Sequence, residues 1–213
     1  MYSFIKYSDE IYYVEGNPSQ PTPKIVIISG KLCSLLIDTG NEIEQIESLK
    51  EGIKKFNLPP IKYIVITHFH DDHIHNISYF KDLEIIASKY TAKYIKYKTK
   101  IIDSKTSIDL GNLLVTIDIL PNSHAKGSLL VYEYKSRIMF IGDALCGKII
   151  GQKLYLNKSS TYEMIKKISE YDVKDFIDGH SNPNDTTKDK VMETLIRYKL
   201  LCNNREDLIE LKE

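Results

Sequence analysis

Residues 61–73 read Ile61-Lys62-Tyr63-Ile64-Val65-Ile66-Thr67-His68-Phe69-His70-Asp71-Asp72-His73. The first seven form an almost continuous apolar run, the pattern of a strand buried on both faces. The last six spell H-x-H-x-D-H. In an extended segment alternate side chains share a face, so His68 and His70 can grip one ion together. The chain then turns at Asp71 and Asp72, which aims Asp72 and His73 at a point a few ångströms away. Imidazole nitrogen and carboxylate oxygen are ligands that zinc prefers, at about 2.0–2.2 Å. Four potential ligands in six residues exceed what a helix cap or a solvated loop requires.

Upstream, Ile25–Ser29 and Leu32–Ile37 read as two strands around a Gly30-Lys31 hairpin turn. Asn41 is expected to cap a helix that runs to about Phe56, because Ile43, Ile46, Leu49, Ile53 and Phe56 recur at helical spacing before Leu58-Pro59-Pro60 stops it. Downstream, a short helix is expected near Ile74–Phe80 and a strand near Leu83–Ala87. Lys89–Lys98 sets Tyr90, Tyr94 and Tyr97 among lysines at helical spacing, and reads as a solvated helix face. Leu113–Leu120, Ser128–Tyr134 and Ile138–Ile141 read as strands. Thr161–Ser169 reads as a helix, Asp175–Ile177 as a short strand, and the chain from about Thr187 to its end as helical. Strands in meander-like groups between helices favour mixed sheets covered by helices over a doubly wound parallel sheet.

Three more residues have matching settings. His124 lies in a loop between two strands, Asp143 ends the strand of Phe140-Ile141-Gly142, and His180 follows the short apolar run at Phe176. Five of the six histidines thus stand at strand ends or in turns, beside small residues that let backbones approach closely. Strand ends on one edge of a sheet are a usual place to assemble a catalytic constellation. His75 fits only a helix face. Asp38-Thr39-Gly40 resembles the catalytic turn of aspartic proteases, but a single copy would demand a homodimer and leave the histidines unexplained. A structural turn is expected instead, with Asp38 accepting from nearby backbone N–H groups.

The 213 residues suit one domain over 1–213. Twenty-nine basic side chains cancel twenty-nine acidic ones, which excludes a nucleic-acid binder whose whole surface tracks phosphate. No apolar run approaches the ~20 residues of a membrane span, and Met1–Glu10 lacks the basic and apolar stretches of a secretory signal. Cys33, Cys146 and Cys202 form no C-x-x-C pair and suggest no disulfide framework; Cys33 and Cys202 read as small core residues. A reducing cytoplasm is the expected location.

His68, His70, Asp72, His73, His124, Asp143 and His180, in that order, resemble the ligand series of the metallo-β-lactamase superfamily. The match runs from about Ile25 to His180, and Leu36-Ile37-Asp38-Thr39-Gly40 is similar to a turn common in that family. The resemblance implies a four-layer αββα sandwich of two mixed sheets flanked by helices, with two metals at one sheet edge. His68, His70 and His124 would hold the first metal, and Asp72, His73 and His180 the second. Asp143 would bridge them. It further implies a hydrolase whose nucleophile is a metal-bridging hydroxide, with Asp72 orienting it and returning its proton. Two zinc ions per chain are the default, and iron or manganese could replace them.

Departures narrow the member. β-Lactamases of the superfamily are generally exported and lack the bridging Asp, and acyl-homoserine lactonases carry a Tyr where this chain has Cys146. Cys146-Gly147-Lys148 resembles a Cys-Gly-Lys of glyoxalase II enzymes, which makes Lys148 a candidate substrate contact, although its spacing from Asp143 is shorter here. The segment after His180 is also short for that enzyme's glutathione-binding helices. The expected substrate is therefore a small thioester, ester or lactone, in a short hydroxyacyl-thioester hydrolase. The alternatives are a persulfide dioxygenase with one iron on His68, His124 and Asp143, and an RNA phosphodiesterase using the lysines of Lys89–Lys105.

Overall fold

A computed structural model describes residues 2–17, 19–182, 186–203 and 205–211. In chain order the strands and helices are β1 (Phe4–Lys6), β2 (Ile11–Val14), β3 (Ile25–Ser29), β4 (Ser34–Ile37), α1 (Ile43–Phe56), β5 (Ile61–Val65), α2 (Asp71–Ile74), β6 (Glu84–Ser88), β7 (Thr99–Ile102), β8 (Thr106–Asp109), β9 (Leu114–Ile119), β10 (Leu129–Glu133), β11 (Ile138–Gly142), β12 (Lys148–Ile150), β13 (Lys153–Asn157), α3 (Lys158–Ser169), β14 (Asp175–Asp178), α4 (Lys188–Leu201) and β15 (Leu208–Leu211). Strands β1 to β7 form one sheet in sequence order, antiparallel as far as β4 and parallel from β4 to β7. A second mixed sheet runs β14-β11-β10-β9-β8, in which only β11 and β14 are parallel.

Side-chain alternation builds the layers. On β3, Val26 and Ile28 point between the sheets, where they meet Val115, Ile117, Val131 and Phe140 of the second sheet. Ile25 and Ile27 point the other way, onto Ile46 and Leu49 of α1. The outer face of the second sheet, with Leu130, Tyr132, Met139 and Ile141, is covered by Met164 and Ile168 of α3 and by Val191 and Leu195 of α4. The order is helix, sheet, sheet, helix, as expected. Cys33 and Cys202 are buried in these layers.

Four local expectations fail, each for a physical reason. Helix α1 is capped at Glu42 in a capping box with Gln45, while Asn41 reaches the carbonyl of Pro21. The first three residues of β5 are only partly covered or exposed. Lys89–Lys98 is no helix: Thr91–Tyr94 makes one 3-10 turn, and the chain then runs on as β7, paired beside β6. The C-terminal stretch leaves α4 and adds β15 to a third sheet of order β12-β13-β15. Tertiary pairing overrides helical spacing at Leu208–Leu211, and Lys89–Lys98 lies in the short connection between the paired strands β6 and β7.

Candidate metal centre

Parallel strands end together, and that places the site. β4 runs into Asp38, β5 into His68, β11 into Asp143 and β14 into His180, while His124 comes from the β9–β10 loop. Two glycines permit the closeness. Gly142 has φ +49°, and a Cβ there would stand 2.7 Å from Thr67 Oγ1. A Cβ at Gly179 would collide with Asp143 Oδ1.

All seven residues singled out by the sequence converge. His68, His70 and His124 form one group with ligand atoms within 4.8 Å of one another; Asp72, His73, Asp143 and His180 form a second. In the first, His70 Nδ1 lies 3.1 Å from His68 Nε2 and 2.9 Å from His124 Nε2. In the second, Asp72 Oδ2 lies 3.5 Å from His73 Nε2 and 3.2 Å from His180 Nε2. Asp143 Oδ2, of the second group, also faces the first: it stands 3.3 Å from His180, 3.4 Å from His73, 3.5 Å from His124 and 3.9 Å from His68, each measured to Nε2. His75 stays outside, exposed and paired with Asp71 at 3.1 Å.

Partners behind the rings orient them. His73 Nδ1 donates to Asp38 Oδ2 at 2.7 Å. His68 Nδ1 faces Thr67 Oγ1 at 3.1 Å, and that hydroxyl donates to Asp38 Oδ2 at 2.7 Å. His124 Nδ1 donates to the Gly147 carbonyl at 3.3 Å. Each ring therefore turns its Nε2 inward, the orientation a metal ligand needs. Asp38 thus corrects its expected role. It accepts from the backbone N–H of Thr67, far along the chain, and it seats His73. A buried ammonium was also unforeseen: Lys24 Nζ contacts Asp178 Oδ1 at 3.3 Å and the Asp178 carbonyl at 3.2 Å, just before His180. Lys148 begins the exposed β12, one residue past the carbonyl that His124 touches.

The electrostatics differ across the site. Burial, reinforced by the charge of His73, drives the His68 imidazole down to about 2. Burial and His124 lower His70 as well. Burial also disfavours the charged form of His73, but Asp38 and Asp143 outweigh it and hold the ring well above the usual histidine range. His180 rises to about 9, because bonds to Asp143 and Asp72 overcome its burial. Burial pushes the Asp143 carboxyl up, yet His180 and His73 hold it well below its ordinary value. His73 Nε2 and Asp143 Oδ1 are buried with no hydrogen-bond partner. The orphaned His73 Nε2, among seven convergent donors, fits a cation that would satisfy it.

A family model described as the metallo-beta-lactamase superfamily matches residues 24–201. Beta-lactamase-like protein 2 homolog of Caenorhabditis elegans is 26% identical over 189 residues, 84% of this chain and 62% of that protein. Hydroxyacylglutathione hydrolase of Prochlorococcus marinus (strain MIT 9312) is 31% identical over 117 residues, 51% of this chain and 47% of that one. The chain thus matches less than two thirds of the length of either relative. Among solved structures, a metallo-beta-lactamase from Pontibacter korlensis superposes with a TM-score of 0.74 at 19% identity, covering 96% of this chain and 100% of its own. Among the described residues no helix is long and apolar enough to cross a membrane.

Proposed function

The chain belongs to the metallo-beta-lactamase superfamily, a family of metal-binding hydrolases, and on that premise we propose that it hydrolyses a small thioester, ester or lactone with two zinc ions. His68, His70 and His124 would hold one ion and Asp72, His73 and His180 the other, with Asp143 shared. When bound, such ions polarise a carbonyl and lower the pKa of water from ~15.7 toward ~7.

The rest is the work of the chain's own groups. Asp38, Thr67 and Gly147 hold the Nδ1 sides of three imidazoles, so that each Nε2 faces inward before anything binds. Two ionised carboxylates, Asp72 and Asp143, offset the charge the site would carry. Asp72 is the less buried of the two, and it orients the attacking water and then moves its proton to the leaving group. Beside His180 an open cleft of about 600 Å³, bordered by Ser19, Gln20, Pro21 and Ser181, suits a small-molecule substrate. The complete second group of ligands favours the two-metal hydrolase over a one-iron dioxygenase. Lys148, one residue beyond the carbonyl that touches His124, keeps its place as a candidate substrate contact.

The single observation that carries this reading is the meeting of both groups on Asp143 Oδ2. Elemental analysis with a panel of thioester, lactone and phosphodiester substrates tests it. Two zincs per chain and thioester or lactone turnover are expected, lost in Asp72→Ala with the fold intact. One iron with oxygen uptake, or activity on RNA alone, defeats it.

A further inference from the structure

Three lysines crowd one tyrosine ring beside the first ligand group. The Nζ atoms of Lys89, Lys93 and Lys126 stand 5.4, 5.7 and 4.8 Å from the centre of the Tyr90 ring. Lys89 and Tyr90 follow β6, Lys93 lies in the 3-10 turn Thr91–Tyr94, and Lys126 comes two residues after His124. Elsewhere Lys6, Lys100, Lys135, Lys153 and Lys167 pair with carboxylates. None of the three around Tyr90 does so among the described residues. The chain carries no net charge, so this gathering is local. Like charges brought together repel, and the ring face offsets only part of that cost.

The cluster is tied to the ligands on both sides. A Cβ on Gly127 would run into the Tyr90 ring. Tyr94 stacks on Phe69 at 4.9 Å between ring centres and 15° between planes, and Phe69 stands between His68 and His70 in the chain. Lys126 therefore rises from the loop that carries His124, and Lys89 and Lys93 from a stretch stacked on the neighbour of His70, which stands 2.9 Å from His124. All three side chains are exposed. Ammonium groups on flexible stems act as point charges, so they select for negative charge more than for shape.

We propose that Lys89, Lys93 and Lys126 form an anion subsite, and that the substrate carries a phosphate or carboxylate which docks there while its scissile carbonyl lies at the ligand groups. The second clause rests on the hydrolase reading; the first does not.

Two measurements on metal-loaded protein decide it. Inorganic phosphate and succinate are titrated separately into the wild type and into Lys89→Gln/Lys93→Gln/Lys126→Gln, with the Tyr90 ring signals followed by NMR. Binding by any metal is common to both proteins, so the difference isolates the lysines. The wild type is expected to bind about tenfold more tightly than the variant, and to lose that margin in about 0.5 M salt. Tighter phosphate assigns a phosphate-bearing substrate, and tighter succinate a carboxylate-bearing one. Equal affinities in the two proteins overturn the subsite. In the kinetic arm, a thioester with a terminal carboxylate or phosphate should show a KM about tenfold higher in the variant, with kcat unchanged and its neutral analogue unaffected. An equal loss on charged and neutral substrates overturns the proposal. A wild type that turns over neither defeats the hydrolase reading, and the titration still decides the subsite.

Discussion

His68, His70 and His124 bring only imidazoles to their group, whereas Asp72, His73, Asp143 and His180 mix two carboxylates with two imidazoles. The chemistry around them diverges accordingly. Burial with no carboxylate of its own leaves the first group's His68 neutral down to about pH 2. In the second, carboxylates draw protons onto His73 and His180 and are themselves kept ionised by them. One group stands ready with free lone pairs, and the other neutralises itself until something displaces its protons. Asp143 Oδ2 is the atom that faces both.

Removing that atom should have the largest effect. Asp143→Ala deprives both groups at once and leaves His73 and His180 without a common counter-charge. Activity is expected to fall by about 10²–10³-fold, the scale of several kcal/mol in the barrier. Metal content should drop in both groups. Retention of two metals per chain would show that the groups do not depend on Asp143.

Asp38→Asn comes next and should act unevenly. Asp38 has φ +57°, which asparagine tolerates, so the backbone survives. Asn Oδ1 can still accept from the Thr67 N–H, but an amide NH₂ then faces His73 Nδ1. That reverses the ring's donor and acceptor and puts a proton on Nε2. The second group should lose about 10–100-fold in metal affinity, measured by competition with a chelator. The first group touches Asp38 only through Thr67 and should lose less. Equal losses would dissolve the distinction between them.

The same contrast explains what could be read from the sequence. The candidate ligands were legible because they stand at or soon after the ends of apolar runs, so strand ends announce themselves along the chain. Supports were not. Asp38 meets Thr67 and His73 only because parallel strands β4 and β5 lie side by side, and no local spacing encodes that pairing. Lys24 reaches Asp178 across two sheets. The lysine–tyrosine stretch misled because its spacing fits a helix, while its backbone is the ten-residue connection between β6 and the edge strand β7. Leu208–Leu211 is an apolar run too short to separate strand from helix by periodicity.

A smaller effect sharpens the electrical difference. A ligating imidazole must be neutral. His180 keeps its proton up to about pH 9 in the metal-free protein, so zinc uptake by the second group at pH 7 must expel it. Affinity there should rise with pH at least as far as about 9. His68, neutral above about pH 2, has no proton to expel. Calorimetric titrations at pH 7 in buffers of different ionisation enthalpy read the protons released. One zinc equivalent should release protons and the other far fewer. Identical release for both would contradict the assignment.

The smallest effect belongs to His75, and its smallness is the point. It follows Asp71-Asp72-His73 closely enough to be mistaken for a ligand, yet its ring is exposed and meets only Asp71, four residues earlier on a solvated turn. An exposed pair of that kind contributes about 0.5 kcal/mol or less. His75→Ala should leave metal content and activity unchanged and shift stability within that amount in a denaturant titration. A lost metal equivalent in this variant would mean that the two groups do not hold the full set of ligands.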